Sequence, residues 1–152
     1  MSDVYYAFAD RPLSHNQAGS TAEYKQKIAD DFRKKFLTNY PFLPFPLTED
    51  LQTDILYLDG TKAKTQVTDI DNISKPLVDA LRGVVYIDDS QVVRRVATRF
   101  SMCSYSVTTL DFKGIPFSAF NIVDTAIKRK KDQIVIMRIK EIDLNSFGGK
   151  FL

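Results

Sequence analysis

The chain has 152 residues, 44% of them hydrophobic and 26% charged, and a formal net charge of +2 at pH 7. This is the length and composition of one globular domain, and no apolar run approaches the roughly 18 residues of a membrane span. Because Cys103 and His15 are the only residues of their kinds, an internal disulfide and histidine-pair chemistry are excluded and a thiolate zinc site is disfavoured. The first residues have no basic region followed by an apolar stretch, so we expect no secretory signal and a cytoplasmic protein.

The first half of the chain has strand and helix patterns in turn. An aromatic and β-branched run from Val4 to Ala9 predicts an opening strand. Apolar residues at helical spacing predict an amphipathic helix that is capped by Ser20 or Thr21 and ends near Leu37. The proline-rich residues 40–46 cannot be regular helix, so they are predicted to form a connector whose aromatics pack on the core. Two further extended pieces are predicted at 51–58 and 62–67.

The second half predicts a short helix, then mostly strands. Because Pro76 is comfortable only in a first turn, the helix is expected to start near Ser74 or to bend there, and to end at Gly83. The remaining predicted elements are an apolar extended run at 84–87, a β-rich stretch at 92–105, a loop at 111–116, a helix over 120–127, a strand at 134–141 and a mobile tail at 142–152. This order predicts a single α+β (α/β) domain over residues 1–152, with one mixed or antiparallel sheet flanked by helices.

Aspartates recur in the middle of the sequence. Asp69 and Asp71 project from the same side of an extended segment, and Asp88 and Asp89 follow one helix later, a connection short enough to bring them back beside the first pair. Like charges held this close oppose folding unless a cation or proton intervenes. With no usable histidine or thiolate, an all-oxygen site points to Mg²⁺ or Mn²⁺. The same aspartates also suit a helix cap and a turn, so spacing alone leaves both interpretations open.

A longer motif surrounds these aspartates. Residues 69–81 (DIDNISKPLVDAL) and 83–93 (GVVYIDDSQVV) closely resemble the signature of RusA-type Holliday-junction resolvases. That signature reads D-x-D-N-x-x-K, D-A-L, an aromatic residue, then D-D-x-Q-V. Weaker similarities to the family's N-terminal region lie at Pro12, Ser14, Asn16 and Tyr24.

The resemblance implies a small homodimeric enzyme that makes magnesium-dependent paired cuts across a four-way DNA junction. Asp69, Asp71 and Asp89 match the family's essential carboxylates and would bind Mg²⁺, or Mn²⁺ in its place. Asp88 matches a less consistent position and would support the ligands from behind. Lys75 matches the motif lysine and would neutralise charge on the phosphate or the leaving oxygen. Without the motif, Lys75 would be interpreted as a solvated helix lysine.

The basic residues depart from the family pattern. Family members carry an arginine cluster just before the first aspartate, whereas residues 65–68 here are Thr-Gln-Val-Thr. Residues 111–133 look like an insertion relative to a minimal member. Contacts to DNA phosphates are therefore expected elsewhere, with a solvated surface charge as the alternative at each position: Lys62, Lys64, Arg94, Arg95, Arg99, Lys128, Arg129, Lys130 and Lys131.

Three functions follow from the motif and its departures. The leading one is a structure-selective endonuclease that resolves four-way junctions in DNA recombination and repair, as a C2 homodimer with two active sites. The second is a RusA-like DNA-binding or assembly protein that does not cleave, against which the intact carboxylates argue. The third is a magnesium nuclease acting on another branched substrate such as a flap, or on RNA, which the missing arginine cluster keeps open. Four phenylalanines are assigned to the core rather than to a dimer interface: Phe42, Phe45, Phe117 and Phe120.

Overall fold

Helices and strands make up most of the residues that the computed structural model describes, which are 3–13, 21–60, 69–102, 111 and 113–142. In chain order the elements are β1 (Val4–Phe8), α1 (Thr21–Lys35), β2 (Leu51–Asp59), α2 (Ile70–Ala80), β3 (Val92–Ser101), α3 (Phe117–Lys128) and β4 (Gln133–Glu141), with short 3-10 turns at Leu37–Asn39 and Asp89–Gln91. None of the helices in these ranges is long and apolar enough to cross a membrane.

The four strands form one mixed sheet in the order β1-β4-β2-β3. β4 pairs antiparallel with both β1 and β2, whereas β2 and β3 run parallel. A parallel pair needs a crossover connection, and here the crossover contains α2. The crossover therefore carries the whole aspartate motif from the end of β2 to the start of β3, and the α+β class with a mixed sheet is confirmed.

Aromatic side chains hold α1 against the sheet. Tyr6 of β1, which is 1% exposed, lies edge-on to Phe32 and Phe36 of α1 with ring centroids 6.0 and 5.1 Å apart. Phe45, from the connector after α1, meets Phe32 at 6.1 Å. Edge-to-face pairs of this kind add roughly 0.5–1.5 kcal/mol to the burial of the rings. This cluster fixes α1, against which α2 then packs.

Most elements agree with the predictions. The strands predicted at 4–9, 51–58 and 134–141 and the helices predicted after residue 20 and around 120–127 are confirmed within a few residues. The β-rich stretch from 92 is a strand as far as Ser101. The predicted extended piece at 62–67, Cys103 and the tail after residue 142 lie outside the described residues.

Of the two alternatives predicted for α2, the start near Ser74 is wrong. The helix begins at Ile70, not near Ser74, and continues through Pro76. Pro76 lacks the N–H that would bond one turn back, a loss that usually breaks a helix. Here Ile73 and Leu77, 1% and 0% exposed, anchor the same turns in the core, and Asp69 caps the helix. Burial and the cap together outweigh the missing hydrogen bond.

The apolar run at 84–87 is not extended, contrary to the prediction. It is a turn in which Tyr86 forms isolated bridges with Leu47 and Arg82. The Tyr86 hydroxyl donates to the backbone carbonyl of Val78 in the last turn of α2. A short apolar run indicates that a segment is buried, but it does not distinguish a strand from a packed turn.

Two of the four phenylalanines assigned to the core are exposed. Phe42 is 96% exposed in the proline-flanked connector, and Phe117 is 78% exposed at the first residue of α3. Phe45 is partly buried and packs against the core, and Phe120 is partly buried. The prediction was therefore wrong for Phe42 and Phe117.

Candidate active site

Asp69 and Asp71 stand together at the N-terminus of α2. Asp69 is the N-cap, and its Oδ1 accepts a hydrogen bond from the Asp71 backbone N–H at 3.2 Å. Both residues are exposed. An aspartate here satisfies a helix donor that would otherwise lack a partner, and the helix dipole favours negative charge at this end. Asp69 is thus a cap, and the Asp69 Oδ2 and the Asp71 carboxylate accept no other hydrogen bond from the described residues.

Lys75 lies one turn after Asp71 on the same face of α2. Its Nζ is 3.6 Å from Oδ2 of Asp79, one turn further on. Lys25 of α1 donates to the same oxygen at 3.1 Å. The Asp79 side chain is only 16% exposed, whereas that of Lys75 is 47% exposed. Asp71, Lys75 and Asp79 therefore form one stripe along α2, which we call the α2 stripe.

Neither Asp79 nor Lys25 was among the predicted site residues. The four-residue spacing between Lys75 and Asp79 was an available signal, because side chains at that spacing meet on a helix. Lys25 is 54 residues away from Asp79 in the sequence, and nothing in the local pattern links the two. Only the packing of α1 on α2 brings them together.

Asp88 is held by protein groups after the end of α2. The Ser90 hydroxyl donates to Asp88 Oδ2 at 2.6 Å, and the Arg82 Nε lies 3.0 Å from Oδ1. The Ser90 hydrogen bond, assisted by the Arg82 charge, holds the pKa of the Asp88 carboxyl below its ordinary value. The supporting role of Asp88 beside Asp89 stays a prediction.

The Gln91 side chain fixes the turn that carries Asp89. Its Oε1 accepts from the Asp88 backbone N–H at 2.9 Å. Its Nε2 donates to the backbone carbonyls of Leu47 and Glu49 at 2.9 and 3.0 Å. One side chain therefore joins the 88–91 turn to the segment that enters β2. Gln91 was quoted as part of the motif, but its contacts could not be read from the sequence.

We expect Gln91→Glu to lower the free energy of unfolding by about 1–2 kcal/mol, because a carboxylate cannot donate to the Leu47 and Glu49 carbonyls. Urea unfolding followed by circular dichroism measures the change. Val93→Thr, which changes a half-exposed side chain two residues further along the chain, is the control and should stay within about 0.5 kcal/mol of wild type. Equal unfolding midpoints for Gln91→Glu and Val93→Thr would contradict this assignment.

Asp89 does not complete a three-carboxylate cluster within the described part of one chain. Among those residues, no three His, Cys, Asp or Glu side chains are grouped so that they could hold a metal ion. The topology explains this: Asp69 and Asp71 begin α2, whereas Asp89 follows its far end, and an 11-residue helix is about 16 Å long. The predicted convergence of Asp69, Asp71 and Asp89 therefore stays a prediction.

The pair at the start of α2 fits the chemistry of magnesium. Mg²⁺ commonly keeps several waters and is held by one or two carboxylates together with substrate phosphate. Asp69 and Asp71 offer oxygen ligands that are adjacent, exposed and acidic. A helix N-terminus also favours a phosphate oxygen. These two residues are therefore the ones that would hold a divalent cation here.

The predicted DNA-binding residues differ in their surroundings. Arg99 pairs with the buried Asp59 at 3.0 Å, and Lys128 pairs with Asp124 at 2.6 Å. Arg94 donates to the Gln52 side chain at 3.2 Å. Lys62 and Lys64 lie outside the described residues. The other four predicted residues are exposed: Arg95, Arg129, Lys130 and Lys131.

The fold and these residues define a small α+β domain with an acidic and basic stripe on a crossover helix. The sequence model of the family described as Endodeoxyribonuclease RusA matches residues 16–106, which is more than half of the chain and spans α1 to β3. The chain therefore belongs to the RusA endodeoxyribonuclease family, as the motif predicted. A search of curated proteins found no match.

Proposed function

We propose that the protein is a Mg²⁺-dependent endonuclease that resolves four-way DNA junctions by paired symmetric nicks, in DNA recombination and repair. The observation that carries the proposal is the exposed group of Asp69, Asp71 and Lys75 on the first turns of α2, within a chain of the RusA family. Family membership supports cleavage of DNA. The exposed carboxylates support a metal-assisted mechanism.

In this proposal each residue has a defined task. Asp69 and Asp71 bind Mg²⁺, or Mn²⁺ in its place, and Asp89 adds a third carboxylate. The bound metal would polarise the scissile phosphate and lower the pKa of the attacking water. The Lys75 ammonium neutralises charge on the phosphate or on the leaving oxygen. Asp88, anchored by Arg82 and Ser90, supports Asp89 from behind.

Asp89 can join Asp69 and Asp71 only if the 88–91 turn approaches the start of α2, or if a second copy of the chain supplies its own Asp89. The proposed functional unit is a homodimer. Two copies related by a two-fold axis provide two active sites for the two symmetric nicks of a junction.

Contacts to the DNA backbone come from the basic residues predicted above. The exposed Arg95, Arg129, Lys130 and Lys131 are available to phosphates without breaking an ion pair among the described residues. Arg94, Arg99 and Lys128 would first have to exchange a protein partner. Phosphate contacts supply affinity without reading sequence, so binding should weaken steeply as salt is added.

Cleavage assays on a mobile four-way junction, a flap and a linear duplex, each with Mg²⁺ and with EDTA, test the proposal. We expect paired nicks in the junction that require Mg²⁺. Asp71→Asn, purified in the same way, controls for a contaminating nuclease. Preferred cutting of the flap would support a nuclease for another branched substrate, consistent with the missing arginine cluster. Junction cleavage that persists in EDTA, or junction binding with no cleavage at any Mg²⁺ concentration, would overturn the proposal.

A further inference from the structure

Asp79 occupies a central place among the charges of α2. Its carboxylate is largely buried and receives two lysines on one oxygen, Lys25 at 3.1 Å and Lys75 at 3.6 Å. Lys25 comes from α1, so this oxygen ties the two helices together. A carboxylate buried to this degree is costly unless it is paired. The two ion pairs therefore fix the position of the Asp79 carboxylate and of both lysine ammonium groups.

Lys75 has a second carboxylate within reach on the α2 stripe. Asp71 lies four residues before it and Asp79 four residues after it, and both spacings allow a helix ion pair. An aspartate four residues before a lysine is in fact the more favourable orientation. The structure nevertheless places Lys75 on Asp79. If Lys75 paired with Asp71, its ammonium would compete with a divalent cation for the Asp71 carboxylate.

We propose that Asp79 is a positioning residue that holds Lys75 away from Asp71 and so leaves the Asp71 carboxylate open to a divalent cation. This rests on the proposed function, in which Asp71 is a metal ligand. Lys25 pairs with the same Asp79 oxygen from α1 and joins the two helices, whereas the position of Lys75 depends on Asp79, a residue of its own helix. The arrangement keeps Lys75 one turn from the metal ligands, where its ammonium faces an incoming phosphate.

Metal titrations without DNA test this directly. Mn²⁺ and Mg²⁺ are titrated by calorimetry into wild type, Asp79→Asn, Lys75→Gln and the Asp79→Asn/Lys75→Gln double variant. We expect Asp79→Asn to weaken metal binding about 10-fold, the scale seen when a residue that supports a metal ligand is lost. In the Lys75→Gln background the same change should have an effect of about twofold or less, because the competing ammonium is gone. Metal binding is thus rescued by removing Lys75.

Lys25→Gln is the matched control. It removes the same inter-helix bond, at 3.1 Å, but leaves Lys75 on Asp79. Its unfolding midpoint should fall as much as that of Asp79→Asn, while its metal affinity stays within about twofold of wild type. Should Asp79→Asn fail to fold, Asp79→Ser replaces it in the same cycle.

The outcomes separate this inference from the proposed function. An equal loss of metal affinity on Asp79→Asn with and without Lys75, or no loss in either background, would overturn the positioning role. A wild-type protein that binds Mn²⁺ with this dependence on Asp79 but cuts no branched DNA would overturn the proposed function alone. A wild-type protein that binds neither metal, alone or in the presence of a four-way junction, would overturn both.

Discussion

Asp71→Asn should lower the rate of Mg²⁺-dependent cleavage of a four-way junction by at least about 100-fold. Losing a residue that merely supports a metal ligand costs about 10–100-fold, so losing a ligand itself should cost no less. A factor of 100 corresponds to about 2.7 kcal/mol in the activation free energy. Single-turnover cleavage of a labelled junction at saturating protein measures the rate. Asp69→Asn and Asp89→Asn are expected to behave in the same way.

The local structure makes Asp69→Asn and Asp71→Asn clean substitutions. Asparagine caps a helix about as well as aspartate does, so Asp69→Asn removes charge while an oxygen remains for the Asp71 N–H. Asp71 is exposed, and its loss removes only a helix-dipole interaction of about 0.3–1 kcal/mol. Asp30→Asn, an exposed aspartate on α1 paired with Arg33, is the matched control and should cut at the wild-type rate. Asp71→Asn retaining more than about a tenth of wild-type cleavage would exclude Asp71 as an essential ligand.

Regular elements were predictable where local residue pattern and tertiary role coincide. β1 and β4 are runs of β-branched and aromatic residues, and α1 presents Ile28 and Phe32 to the core at helical spacing. α3 followed from the same kind of spacing. The sheet order was beyond reach, because β4 lies between β1 and β2 although it is the last strand along the chain. When paired strands are far apart along the chain, no local pattern in the sequence indicates that they are neighbours.

Local rules failed where burial overrode them. Pro76 argued for a helix start near Ser74, but the buried Ile73 and Leu77 and the Asp69 cap carry α2 through the proline. Residues 84–87 were apolar enough for a strand and instead form a turn in which Val84, Val85 and Tyr86 are buried and Ile87 is 54% exposed. In both places a propensity that describes an isolated segment was outweighed by its packing.

The candidate site also has a part that the sequence predicted and a part that depends on the fold. The motif predicted Asp69, Asp71, Lys75 and Asp89 as site residues because it specifies residue types at fixed spacing. It could not indicate that Asp79 receives both Lys25 and Lys75, since Lys25 belongs to another helix. Nor could the spacing of the aspartates reveal whether Asp89 comes back to the start of α2, because that depends on how the crossover runs over the sheet.

Phe32→Ala should lower the free energy of unfolding by about 3–5 kcal/mol, because it truncates a large side chain in the core. Phe32 is 0% exposed, and its ring lies 6.0 Å from Tyr6 and 6.1 Å from both Phe36 and Phe45. Truncation removes these contacts and leaves a cavity that rings fixed in the sheet and in α1 cannot fill. With a urea slope of about 2 kcal/mol per M, the unfolding midpoint should fall by roughly 2 M.

Phe42→Ala is the same chemical change at a site that is 96% exposed, and it serves as the control. Its free energy of unfolding should stay within about 0.5 kcal/mol of wild type, because no buried contact is lost. Comparing the two variants therefore separates the effect of losing a phenylalanine from the effect of losing a buried one. Phe32 lies in the core, whereas Phe42 lies in the exposed connector after α1. If Phe42→Ala lowered the free energy of unfolding as much as Phe32→Ala does, Phe42 would have to be covered in solution by a second copy of the chain. The stability difference between Phe42→Ala and wild type would then grow with protein concentration.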